Sequence, residues 1–186
     1  MRIITLFSLL FILLACERNY IKDLKIEDIS LGDSLVDKYS KDEITANQWN
    51  YYVDLGFNSS SFFPKSTTYE YDQIEVGYKI DEDEFIVHKI GGSIFYSNNN
   101  IEECYLKKKE IVKKLSESLK NTNWENDIFE DDKGKYDTEW ILLEGGEYIS
   151  VDCYDWNIDT ENEKNWVDNL QVRITSSDWE EMLNLQ

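Results

Sequence analysis

The chain has 186 residues, with 38 Asp and Glu against 19 Lys and Arg and a formal net charge of −19. So acidic a surface repels nucleic acid phosphates and anionic head groups, which argues against both and leaves a basic protein or a cation as partner. Aromatics at 14% and hydrophobics at 41% exclude a solvated disordered chain, and one proline with eight glycines excludes proline-rich repeats and long linkers.

Residues 1–15 read as a secretory leader. Arg2 is the only charge, and Ile3 to Ala15 are apolar except for Thr5 and Ser8. The run is shorter than the roughly 20 residues a membrane-spanning helix needs. Leu13-Leu14-Ala15-Cys16 resembles the lipobox of bacterial lipoproteins. The resemblance implies a diacylglyceryl group on Cys16, cleavage just before it, and a firm envelope anchor at about 0.8 kcal/mol per buried CH₂. Glu17 stands where enteric inner-membrane lipoproteins carry Asp, which favours the periplasmic face of the outer membrane. The expected division is a signal peptide at 1–15, a lipidated cysteine and polar tether at 16–28, and one domain at 29–186.

The stretch Leu31 to Ile44 is expected to include a first helix, with Leu35, Val36, Tyr39 and Ile44 as its stripe. Residues 49–66 show no clear period and hold a Ser-rich turn, Asn58-Ser59-Ser60-Ser61. Residues 68–80 alternate as a strand, with Ile74, Val76, Tyr78 and Ile80 on one face. Residues 84–97 follow as a second strand, where Gly91-Gly92 marks a bulge or tight turn. Asn100-Ile101-Glu102-Glu103 resembles a capping box opening a helix over 101–119. Residues 138–144 and 147–156 predict a hairpin across Gly145-Gly146. Val167 to Thr175 form a last strand, and a short helix capped by Ser177 ends the chain. The fold class is α+β: a mostly antiparallel sheet with helices packed on one face, in two α-β-β halves without a residue-level repeat.

With Cys16 assigned to lipid, Cys104 and Cys153 are left as an even pair in an oxidising compartment. Cys104 shares a helical face with Ile101, Ile111, Leu115 and Leu119. Cys153 shares a strand face with Ile149 and Val151. Both point toward the core, which predicts a disulfide; the alternative is two buried free thiols.

Gly32-Asp33-Ser34-Leu35 spells the signature of the GDSL esterases, whose serine nucleophile requires an Asp-x-x-His pair near the C-terminus. The single histidine, His88, has Phe85 three residues before it, so helix capping by Asp33 or Ser34 is the better reading. A lone histidine between Ile86 and Ile90 reads as structural. The acidic runs 81–84, 131–132 and 159–163 lack the ligand spacing of an EF-hand and read as solvated turns. No catalytic residue, cofactor or metal ligand is assigned. The face of residues 147–156 opposite Cys153 carries Tyr148, Asp152, Tyr154 and Trp156, a candidate surface for a basic or envelope protein unless a second layer covers it.

Several segments resemble a family of uncharacterised small secreted proteins from marine bacteria: Leu31 to Leu35 with Glu43-Ile44, Ile101 to Tyr105, Asp132 to Lys135, Cys153 to Trp156 and Trp166 to Leu170. The resemblance implies one secreted domain and no particular activity. The expectation is a non-enzymatic, lipid-anchored envelope protein that binds another protein as accessory or inhibitor. The alternatives are a small-ligand or calcium binder and an enzyme without a recognisable motif.

Overall fold

The computed structural model describes residues 20–64, 69–96, 100–119 and 122–184. The leader at 1–15 and Cys16 lie outside these residues.

Eight strands form one sheet in the order β1-β2-β3-β4-β8-β7-β6-β5, with every neighbouring pair antiparallel. The strands are β1 Gln48–Trp49, β2 Phe57–Phe62, β3 Gln73–Lys79, β4 Val87–Phe95, β5 Glu125–Glu130, β6 Gly134–Leu142, β7 Tyr148–Trp156 and β8 Asn169–Thr175. The helices are α1 Lys41–Ala46, α2 Ile101–Ser118, α3 Ile158–Lys164 and α4 Ser177–Leu183. The class is therefore α+β, with an antiparallel sheet. Each half is a helix followed by a four-stranded meander, and the halves join where β4 pairs with β8.

The main core lies on the sheet face beneath α2. Cys153, Leu170, Val172, Ile174, Ile90 and Val76 project there and meet Cys104, Ile111 and Val112 of the helix. Ile44 of α1 joins the same cluster. α4 is the exception to the expected one-sided packing. It carries Trp179 and Met182 against Phe57 on the opposite face, over Gly77, where the indole leaves no room for a Cβ.

The tether does not extend to residue 28, because Ile21 and Ile26 are buried in the main cluster. Ile26 and Ile29 exchange two backbone hydrogen bonds of 3.0 Å around Glu27 and Asp28, both at positive φ, a tight two-residue turn. Within 31–44 only a 3-10 turn, Leu35–Asp37, and the first residues of α1 are helical. Gly32 N and Leu35 N donate to Val87 O and Phe85 O, so the backbone of 32–35 pairs beside the start of β4, and only that short turn follows before α1. Helix α1 starts only after Ser40, where Ser40 and Glu43 form a reciprocal capping box.

The Ser-rich segment is not a turn but the buried strand β2. Ser60 Oγ donates to Ile44 O at 2.8 Å and lies 2.8 Å from the Tyr78 hydroxyl, so hydroxyls replace apolar groups where the strand is covered. Gly91-Gly92 is regular strand, and the bulge sits at Gly77/Tyr78. Gly92 is required because the Tyr71 ring lies where its Cβ would be. Asn100 precedes α2 without a side-chain cap, and α4 is capped by Ser176, whose Oγ accepts from Trp179 N, rather than by Ser177.

Candidate functional site

Strand β7 divides its residues between two environments. Ile149, Val151 and Cys153 are fully buried beneath α2, while Tyr148, Ser150, Asp152, Tyr154 and Trp156 take the other face. Cys104 and Cys153 meet as expected, with sulfurs at bonding distance, Cα atoms 6.0 Å apart and both side chains excluded from solvent. The pair ties the first turn of α2 to β7 and so holds the helix to one face of the sheet.

On the other face, strand register adds residues that local pattern did not single out. Tyr136 lies opposite Tyr154, Trp140 opposite Ser150, Gln171 opposite Asp152 and Arg173 opposite Ser150. The rings pack in two groups. Tyr136 meets Tyr154 and Trp156 edge to face at 5.5 Å, Trp156 meets Trp166 at 4.5 Å, and Phe129 joins Tyr136 at 5.7 Å. Trp140 stacks on Tyr148 at 5.8 Å. Tyr148, Tyr154 and Trp156 are half-buried, whereas Phe129 and Trp166 are 61% and 41% exposed. α4 covers the opposite face at Phe57 and Gly77 and reaches β8, where Thr175 Oγ1 donates to Glu180 Oε1 at 2.5 Å; on the aromatic half Ser150 and Asp152 are buried beneath rings that are themselves half-buried or exposed.

Asp152 does not present an acid to solvent, as the sequence suggested. It is 1% exposed, and its Oδ2 accepts from Ser150 Oγ at 2.8 Å and from Arg173 Nη2 and Nε at 3.1 and 3.3 Å. The more accessible member of the pair is the cation: the Arg173 side chain is 32% accessible. Burial opposes its charge, yet Asp152 outweighs that and holds the guanidinium above its ordinary range. Burial pushes the Tyr154 phenol up to about 12 and raises that of Tyr148. Both hydroxyls therefore stay protonated at neutral pH, that of Tyr154 donating to Gln171 Oε1 at 3.4 Å, and the face offers rings and one guanidinium. Rigid support comes from Trp140 Nε1 donating to Asp127 at 2.7 Å and the Tyr136 hydroxyl donating to Asp131 at 3.2 Å.

The other motifs have structural roles. Ser34 caps nothing; its hydroxyl donates to Glu84 O, while Asp33 accepts from Ser30 N. His88 Nδ1 lies 3.1 Å from Ser176 Oγ, which ties the cap of α4 to the bulged strand, and Nε2 lies 3.7 Å from Glu82. A hollow of about 170 Å³ beside them is lined by His88, Ser176, Ile21, Gly32 and Glu147. Asp131 is engaged by the backbone N–H groups of Lys133 and Gly134, and residues 159–163 lie within α3, capped by Asn157. Among the described residues no three His, Cys, Asp or Glu side chains gather as a metal site, and no helix is long and apolar enough to cross a membrane.

Comparison with protein-family models, with curated proteins and with solved structures finds no match for this chain.

Proposed function

We propose that the chain is an exported protein, anchored in the envelope through lipid on Cys16, whose aromatic sheet face docks a protein partner as an accessory or inhibitor. The observation that carries this reading is the half-buried face of β6–β8, where Tyr148, Tyr154, Trp156, Tyr136 and Trp140 surround the Arg173–Asp152 pair. Tyr, Trp and Arg are the residues that concentrate binding energy in protein interfaces. The disulfide and α2 support the sheet from behind, so the face is preformed and loses little ordering entropy on binding. The net charge of −19 favours a basic partner.

The test is capture from an envelope extract of the native host with the full chain carrying a C-terminal tag. Wild type and a variant at the exposed α2 position, Lys113→Gln, should retain the same discrete partner. Tyr154→Ser/Trp156→Ser should lose it. A partner held equally by all three chains, or by none, refutes the proposal. Intact mass from the native host checks the anchor: acyl mass on a chain starting at Cys16 supports it, and a retained Met1 refutes it.

A further inference from the structure

The aromatic face runs out to the side of the sheet at β5, which pairs with β6 alone and stands last in the strand order. We propose that β5 takes up an extended, basic segment of the partner as a ninth strand. This rests on the docking reading and names the chemistry of the docked segment.

All six residues of β5 are exposed. An outer strand keeps a row of backbone N–H and C=O groups unpaired along its free edge, and such a row templates the addition of another strand. Proteins commonly blunt such edges with charge, and Glu125, Asp127 and Glu130 would serve that end. Blunting does not explain the middle of the strand, where Ile128 and Phe129 are 63% and 61% exposed. Alternation and register place Phe129 on the aromatic face against Tyr136, and Ile128 on the other. A strand laid outside β5 would shelter both side chains and extend the row of rings.

Charge decides the occupant. Two copies of β5 paired antiparallel about Asp127 would set that acid opposite its own copy, and each chain carries a net −19. Like charges directly opposite destabilise a strand pair. Among the described residues Glu125, Asp127 and Glu130 form no ion pair with a lysine or arginine of this chain. A segment with Lys or Arg at alternate positions would set its cations on the aromatic face beside Glu125 and Asp127, so the edge selects against itself and for a basic strand.

The experiment uses two fluorescent peptides of equal charge and the full chain at about 0.15 M salt, where exposed charges beyond about 8 Å are screened. One peptide alternates Lys and Val. In the other, alternate valines are proline, which cannot donate to a ladder. The first should bind, as read by anisotropy, and the second about tenfold more weakly or worse. Hydrogen exchange should slow at amides of residues 125–130. Glu125→Lys/Asp127→Lys/Glu130→Lys, checked for fold by circular dichroism, should lose the Lys–Val peptide by about tenfold. Equal binding of the two peptides, or protection confined to other strands, overturns the proposal. Rejection of the Lys–Val peptide while Tyr154→Ser/Trp156→Ser still abolishes partner capture overturns strand addition and leaves the docking face standing. Specific binding at β5 with capture unaffected by the face variants does the reverse.

Discussion

Removing the link between Cys104 and Cys153 should cost about 4 kcal/mol of stability. The two residues are 49 apart in sequence, and closing a loop of that size removes entropy worth about 4 kcal/mol from the unfolded chain. In a domain of this length each kcal/mol moves the melting temperature by about 2–4 °C, so the loss should be about 8–16 °C. Both cysteines are excluded from solvent, so Cys104→Ala/Cys153→Ala is the proper variant; serine would bury a hydroxyl without a partner. Thermal unfolding by circular dichroism should show wild type above the variant, with reductant bringing it down toward the variant. Loss of the sulfurs also trims packing, so oxidised against reduced wild type isolates the crosslink. Two titratable free thiols in untreated protein from the native host, or a melting temperature unmoved after full reduction, would refute the reasoning.

Two further outcomes follow from buried charge. Lys108 is 2% exposed on α2, with Nζ 2.5 Å from Asp137 Oδ1 and 3.7 Å from Glu139 Oε1; Lys108→Met leaves both carboxylates without their cation and should cost about 3 kcal/mol in urea unfolding. Adding Asp137→Asn should recover part of that loss, and strict additivity of the two changes would count against the pair. Burial, and then the nearby Lys79 charge, lower the His88 pKa below its ordinary value. The unfolded chain therefore binds more protons than the folded one just below about pH 6.5. Stability should be fully present above that pH and fall as pH drops toward the folded pKa. His88→Gln should flatten this part of the curve in melts taken from pH 7 to about 5.5, and an unchanged slope would show that the imidazole is not responsible.

The elements legible in the sequence are those whose two faces carry different kinds of side chain, aliphatic on one and polar or aromatic on the other. Strands β3, β4, β7 and β8 alternate because one side meets the α2 layer, and α2 shows its stripe for the same reason. That pattern also brought Cys104 and Cys153 together and grouped Tyr148, Tyr154 and Trp156. The missed elements lack such an imprint. β5 is exposed throughout and β2 is buried throughout, so neither alternates. Leu35 and Tyr39 have helical spacing because a short 3-10 turn joins them, Tyr39 N donating to Leu35 O, but the stretch before it pairs beside β4 and the helix proper waits for Ser40. The inner half of the candidate surface was hidden for a different reason. Arg173 and Tyr136 reach Asp152 and Tyr154 only through cross-strand register, and Lys108 occupies a core position that a hydrophobic stripe reads as polar. With the hairpin across Gly145-Gly146 in hand, counting outward from the turn would have placed Trp140 beside Ser150.

The central claim is that the Tyr154–Trp156 face meets a protein in the envelope. Trp156→p-benzoylphenylalanine, made in the native host and irradiated in living cells, tests it most directly, with Lys113→p-benzoylphenylalanine on the solvent side of α2 as the reference. A discrete crosslinked adduct from position 156 and none from 113 is the predicted result. No adduct from either position, or the same adduct from both, would contradict it.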